Sequence, residues 1–207
     1  MKYLIAGFLF SLTVLSNSGC KRTPDAPFEV LQAPEGAVQE LQPLWAIPDF
    51  NLTERSGQTI SLADLKGKVW IADFFYTTCP GPCPMMTSRL SDLQKQLGSE
   101  EDLRLVSIST DPAKDTPEVL KQYARKFEAS DRWLFLTGDK EQIFRLANDG
   151  FKLSLVEDPS AEEPITHSTK LVLIDRAGTI RGFYEGIGEE DTTRIVKDAR
   201  RLLEEKQ

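Results

Sequence analysis

Residues 69–76 read Val-Trp-Ile-Ala-Asp-Phe-Phe-Tyr, and close behind them comes Cys79-Pro80-Gly81-Pro82-Cys83-Pro84. A β-branched and aromatic run, entered from Lys66-Gly67-Lys68, predicts a strand buried on both faces. Cys79, Gly81 and Cys83 each precede a proline, which disfavours the helical region for them. Pro84 suits a first helical position, so Cys83 is expected at the N-cap of a helix. A sulfur in that place faces unpaired backbone N–H groups and the positive end of the helix dipole, predicting a thiol pKa below the ~8.5 of free cysteine. Strand, thiol pair and helix start thus fall within one short stretch.

The remaining pattern builds on that unit. Met85, Leu90, Leu93 and Leu97 recur at near-helical intervals, which makes Met85 a core position, and Gly98 stands where a C′ glycine would stop the helix. Residues 103–109 predict a second buried strand, and Thr116-Pro117 the N-cap and first position of a helix through Val119, Leu120, Tyr123 and Phe127. A strand over 133–136, a helix over 140–148 closed near Gly150 and an extended piece over 151–156 follow. Residues 170–175 and 179–184 form a hairpin across Arg176-Ala177-Gly178, and Ile195, Ala199 and Leu202 or Leu203 line a final amphipathic helix. The acidic run Glu189-Glu190-Asp191 is expected to cap that helix, where acidic residues suit the N-terminal dipole. Trp70 and Trp133 read as packing residues. This order predicts an α/β domain with a thioredoxin-like fold, to which residues 49–52 and 59–62 add an N-terminal β-hairpin.

The N-terminus predicts the compartment. Met1-Lys2 followed by an apolar run over 3–15 has the length of a secretory h-region and is short for a bilayer span. Ser16-Asn17-Ser18-Gly19-Cys20 resembles a lipobox, with Cys20 as the lipidated mature N-terminus; Asn17 stands where an aliphatic residue is usual, and an uncleaved anchor or a plain signal peptide is the alternative. Residues 1–19 are therefore read as a signal peptide, residues 20–44 as a proline-punctuated membrane tether reaching roughly 25–30 Å as a flexible coil, and residues 45–207 as the folded domain. An extracytoplasmic, membrane-anchored protein is expected. The chain carries a formal net charge of -7, and loss of Lys2 with the signal makes it more negative, with no basic stripe to offset it. That excludes nucleic acid as an expected partner.

Chemistry then rests on a short list of side chains. The sequence has three cysteines and one histidine. With Cys20 assigned to the anchor, Cys79, Cys83 and His167 remain. Structural zinc normally takes four protein ligands, which this domain lacks as cysteine and histidine. Soft thiolates select Cu(I), which accepts low coordination numbers, and two thiolates with one imidazole and an added oxygen also suit Cu(II). Met85 and Met86 are less favoured as spare ligands than as packing residues. Gly186-Ile187-Gly188 lacks the full pattern of a phosphate loop.

Four segments in combination, Phe74-Phe-Tyr-Thr-Thr-Cys-Pro-Gly-Pro-Cys-Pro84, Asp111-Pro-Ala-Lys-Asp-Thr-Pro117, Leu136-Thr-Gly138 and Thr166-His-Ser-Thr-Lys170 with the Leu-Val-Leu-Ile-Asp-Arg-Ala-Gly after it, resemble the Sco/SenC family of copper chaperones. The resemblance runs from about Trp45 to Leu203. It implies a thioredoxin fold, one copper held by Cys79, Cys83 and His167, receipt from a copper donor, and delivery to the binuclear copper site of cytochrome c oxidase subunit II. It also places Asp111 in an acidic loop with a supporting or docking role, which a simple turn residue before Pro112 matches equally. The main alternative is a thiol-disulfide oxidoreductase acting on the cysteines of a copper-site target. Against it, the thiols are separated by three residues rather than two, and His167 has no task in simple exchange. A peroxidase is disfavoured, because the threonine or serine and the proline that precede a peroxidatic cysteine are missing ahead of both Cys79 and Cys83.

Overall fold

The computed structural model describes residues 41–158, 160–161 and 164–205. The expected signal peptide, the lipidation site Cys20 and nearly all of the tether lie outside them. No helix among the described residues is long and apolar enough to cross a membrane.

A seven-stranded sheet forms the frame. Its strands are β1 (Asn51–Glu54), β2 (Thr59–Ser61), β3 (Val69–Phe75), β4 (Leu103–Ser109), β5 (Trp133–Thr137), β8 (Lys170–Ile174) and β9 (Ile180–Glu185). The spatial order is β2-β1-β5-β4-β3-β8-β9. The three central strands run parallel, with Val69 opposite Leu103 through to Phe75 opposite Ser109, and Leu105 opposite Trp133. Parallel neighbours need crossovers, and helices α2 (Cys83–Gln96) and α3 (Pro117–Lys126) supply them. Strands β8 and β1 close the flanks antiparallel to β3 and β5, and β1 pairs antiparallel with β2. Outside the sheet, β6 (Leu155–Glu157) and β7 (Ile165–His167) form a separate antiparallel ribbon. The short helices α1 (Leu62–Leu65) and α4 (Lys140–Arg145) and the C-terminal α5 (Glu190–Glu204) complete the fold.

Every residue of β3 is buried, as its unbroken apolar run requires. Trp70, Trp133, Phe75 and Phe135 are fully enclosed, and the T-shaped contacts of Phe74 with Phe151 and of Phe75 with Phe135 tie the strands to the chain around them. Gly178, at φ 84°, turns β8 into β9, a left-handed conformation that glycine adopts without steric cost.

Five local expectations need correction. Pro82, not Cys83, occupies the N-cap position of α2, and Cys83 is the first helical residue with Pro84 second; the first turn has no N–H bonds to lose, so proline is tolerated there. Met85 is 56% exposed whereas Met86 is fully buried, because the inner stripe of α2 runs through Cys83, Met86, Leu90 and Leu93. Helix α2 ends at Gln96 with Leu97 as its C-cap, so Gly98 does stand at C′, but without the left-handed φ of a C′ glycine. The segment after α4 widens into a π-helical turn, Leu146–Gly150. Asp191 serves the end of β9 by accepting the Glu185 N–H at 2.6 Å, while Glu189 gives α5 no side-chain cap.

Candidate metal centre

The parallel strands β3 and β4 end side by side, and the candidate site lies beyond the end of β3. There the chain turns over Tyr76–Cys79, closed by the Cys79 N–H donating to the Tyr76 carbonyl at 3.3 Å. It crosses the proline loop and enters α2 at Cys83, where the Met86 N–H caps the Pro82 carbonyl at 3.0 Å. His167 arrives from far along the sequence as the last residue of β7, held opposite Leu155 of β6. The ligand atoms of Cys79, Cys83 and His167 all lie within 4.8 Å of one another. Both cysteines are free thiols, Cys79 is 7% exposed and Cys83 fully buried.

The histidine is oriented from both sides. Its Nδ1 lies 3.0 Å from the Ser168 carbonyl, which can only accept, so Nδ1 carries the hydrogen and Nε2 presents a lone pair. That lone pair lies 3.0 Å from the Cys83 sulfur. The Tyr76 ring stands nearly perpendicular to the imidazole, with centroids 5.9 Å apart. Burial pushes the His167 pKa below its ordinary value, keeping the ring neutral and its lone pair available.

The Cys83 thiol is pushed well above the ordinary cysteine range, first by burial and then by the adjacent Cys79 thiol. The depressed value expected from the helix start does not hold. A helix dipole contributes about 0.3–1 kcal/mol at an exposed end, whereas removing a thiolate from water costs more than that and decides the sign. Without a metal, burial favours a protonated Cys83, whose sulfur lies 3.0 Å from the Nε2 of His167 and beside the Cys79 thiol. A soft cation replacing that proton would meet two sulfurs and one imidazole nitrogen, a donor set that suits copper. Beside it, an open cleft of about 550 Å³ is lined in part by His167, Thr166, Trp45, Lys152 and Phe183.

Asp111 pairs with Lys114 at 3.0 Å and lies outside the three-ligand cluster. The acidic residue of that loop which reaches the cysteine segment is Asp115. It is fully buried, accepting from the Thr77 hydroxyl at 2.5 Å, the Thr77 N–H at 3.1 Å and the Ser109 hydroxyl at 2.5 Å. Sequence reasoning singled out Asp111 in this loop and passed over Asp115, which no local pattern sets apart. A second omission is Asp73 in β3, 1% exposed with no hydrogen bond of regular geometry on either oxygen. The signal for it was a lone carboxylate inside an otherwise apolar strand.

A parallel-cored α/β domain with two thiols at a strand-to-helix turn, completed by a distant histidine, defines a thioredoxin-like protein carrying a Cys-Cys-His group. The family model described as SCO1/SenC matches residues 39–204. This chain belongs to the SCO1/SenC family. The SCO1 protein homolog of Bacillus subtilis is 36% identical over 169 residues, 80% of this chain and 87% of that protein. The crystal structure of a SCO1/SenC family lipoprotein from Bacillus anthracis is similar with a TM-score of 0.73 and 38% identity, covering 79% of this chain and 98% of that one. The structure of BsSco, described as having a disulfide switch and as a member of the Sco family of cytochrome c oxidase assembly proteins, matches with a TM-score of 0.71 and 34% identity, covering 80% and 98%.

Proposed function

We propose that this protein is a copper chaperone that takes one copper ion on Cys79, Cys83 and His167 and hands it to the binuclear copper site of cytochrome c oxidase subunit II or a similar acceptor. The observation that carries the reading is the convergence of these three ligand atoms within 4.8 Å. A lone-pair nitrogen is already directed at a buried sulfur, and the donor set is soft. Kinship with cytochrome c oxidase assembly proteins supports the acceptor class. Copper is cargo here. The protein's part is to hold two thiols and a neutral imidazole close together, and to release them one at a time to competing thiolates. Cys20 would anchor the chain outside the cytoplasm through a lipid, a reading supported by the lipoprotein relative.

Copper titration of the reduced protein tests this. One copper per chain with thiolate charge-transfer bands, altered in Cys79→Ala, Cys83→Ala and His167→Ala, is the expected result. His167→Ala should weaken Cu(II) more than Cu(I), because two sulfurs alone satisfy linear Cu(I). Lack of stoichiometric copper, with the thiols cycling rapidly as a disulfide, would instead favour the oxidoreductase. Burial of Cys83 with a raised thiol pKa counts against rapid attack by that sulfur.

A further inference from the structure

We propose that Asp115 is a positioning residue for the cargo site: through Thr77 it fixes the Tyr76–Cys79 turn, and so the place of the Cys79 sulfur relative to Cys83 and His167. The inference rests on the copper-chaperone reading for its functional meaning, but its geometry stands on separate contacts.

The Cys79 turn is held at Tyr76, whose backbone hydrogen-bonds to Cys83 and whose ring meets His167. It is closed by one long backbone bond, Cys79 N–H to the Tyr76 carbonyl at 3.3 Å, and the proline loop after it offers no amide N–H at Pro80 or Pro82. Thr77 is the second residue of this turn, and Asp115 grips it twice: one carboxylate oxygen accepts from the Thr77 hydroxyl at 2.5 Å and the other from the Thr77 N–H at 3.1 Å. That second oxygen also accepts from the Ser109 hydroxyl at 2.5 Å. Ser109 is the last residue of β4, whose hydroxyl in turn accepts the Asp111 N–H at 3.1 Å. Asp115 is itself fixed by its N–H donating to the Asp111 carbonyl at 2.9 Å. The turn before Cys79 is thereby tied to the end of a neighbouring central strand.

These contacts are not needed to hold the strands together. β3 and β4 are already in register up to Phe75 opposite Ser109, and the Thr110 N–H donates to the Phe75 carbonyl at 2.8 Å. What Asp115 adds lies past the strand ends, on the segment that carries one ligand sulfur. Hydrogen bonds to a buried carboxylate are among the strong ones, and supporting partners of this kind set how well a metal site is preorganised.

The test uses the full chain, reduced and metal-free, in four variants: Asp115→Asn, Thr77→Val, Thr77→Ser and Ser109→Ala. The first readout needs no copper: the rate at which iodoacetamide alkylates Cys79, followed by peptide mass. The second is Cu(I) affinity by competition with a chelator, together with the Cu(II) charge-transfer and EPR signature. Asp115→Asn and Thr77→Val should alkylate Cys79 several-fold faster, bind Cu(I) about tenfold to a hundredfold more weakly, and shift the Cu(II) signature. Thr77→Ser, which keeps the hydroxyl, should return both readouts to the wild-type values. Ser109→Ala should lower the unfolding temperature while leaving Cys79 alkylation much closer to wild type than Thr77→Val does. Wild-type alkylation in a folded Thr77→Val protein overturns the proposal, as do equal effects of Thr77→Val and Ser109→Ala. If Asp115→Asn does not fold, the Thr77 pair decides. Failure of the wild-type chain to bind copper overturns the chaperone reading, and the alkylation arm still decides whether Asp115 positions Cys79.

Discussion

Asp73 should make this protein less stable as pH rises toward neutrality. Its carboxyl lies in β3 at 1% exposure, with no hydrogen bond of regular geometry on either oxygen. Burial pushes its pKa from 3.8 up to about 7, offset only in part by the Ser107 hydroxyl nearby. The folded state therefore holds a proton that the unfolded chain has released between these two values. The contribution of Asp73 to stability is full below 3.8 and is lost as pH climbs through the window to about 7. At about 1.4 kcal/mol per pH unit, the full window amounts to about 4 kcal/mol, of which about 2–3 kcal/mol is lost between pH 5 and pH 8. Asp73→Asn keeps the shape and removes the titration. Urea unfolding of reduced, metal-free wild type and variant, followed by fluorescence of the buried Trp70 and Trp133, measures the effect at the two pH values. The variant should gain about 2–3 kcal/mol relative to wild type on going from pH 5 to pH 8, since every other titrating group is common to both. An identical difference at both pH values would refute the reasoning and show that a hydrogen-bonded, ionised Asp73 is tolerated in the core.

Copper binding should strengthen with pH, because the cation must displace the Cys83 proton that burial holds above the ordinary thiol range; competition titrations between pH 6.5 and 8 should show about a tenfold gain in apparent affinity per pH unit or more. His167, whose pKa burial holds below its ordinary 6.5, is already neutral over this range and adds no slope of its own, so a flat profile would contradict the assignment of Cys83 as a ligand. Gly186→Ala should lower the thermal midpoint. A Cβ there would sit 2.5 Å from the Thr169 carbonyl oxygen and 3.1 Å from Met86 Cγ, and that carbonyl cannot retreat without losing the Gly186 N–H bond at 2.9 Å. A cost of about 1–3 kcal/mol is expected, readable by calorimetry, and an unchanged midpoint would show that the loop yields freely.

Local pattern alone located much of this protein. The apolar run of β3, Thr116-Pro117 at the start of α3, the Gly178 turn and the inner stripe of α5 are each decided by nearest neighbours along the chain, where propensity, capping and periodicity act. So was the residue inventory of the site, because a domain with two thiols and one imidazole has few ways to hold a soft cation. Tertiary structure decided what depends on distant neighbours. Met85 and Met86 are adjacent and chemically identical, and only the packing of α2 against the sheet determined which of them is buried. The sign of the Cys83 shift could not be read from its helix start, since desolvation by the surrounding core outweighs the dipole. Asp115 became legible as a support for the cysteine turn only once the ends of β3 and β4 were brought side by side. Asp73 became an ionisable group of the core only once both faces of β3 were covered. Sequence determines which donors and strands exist; burial and cross-strand contacts, which are sums over residues far apart in the chain, determine their protonation and their aim.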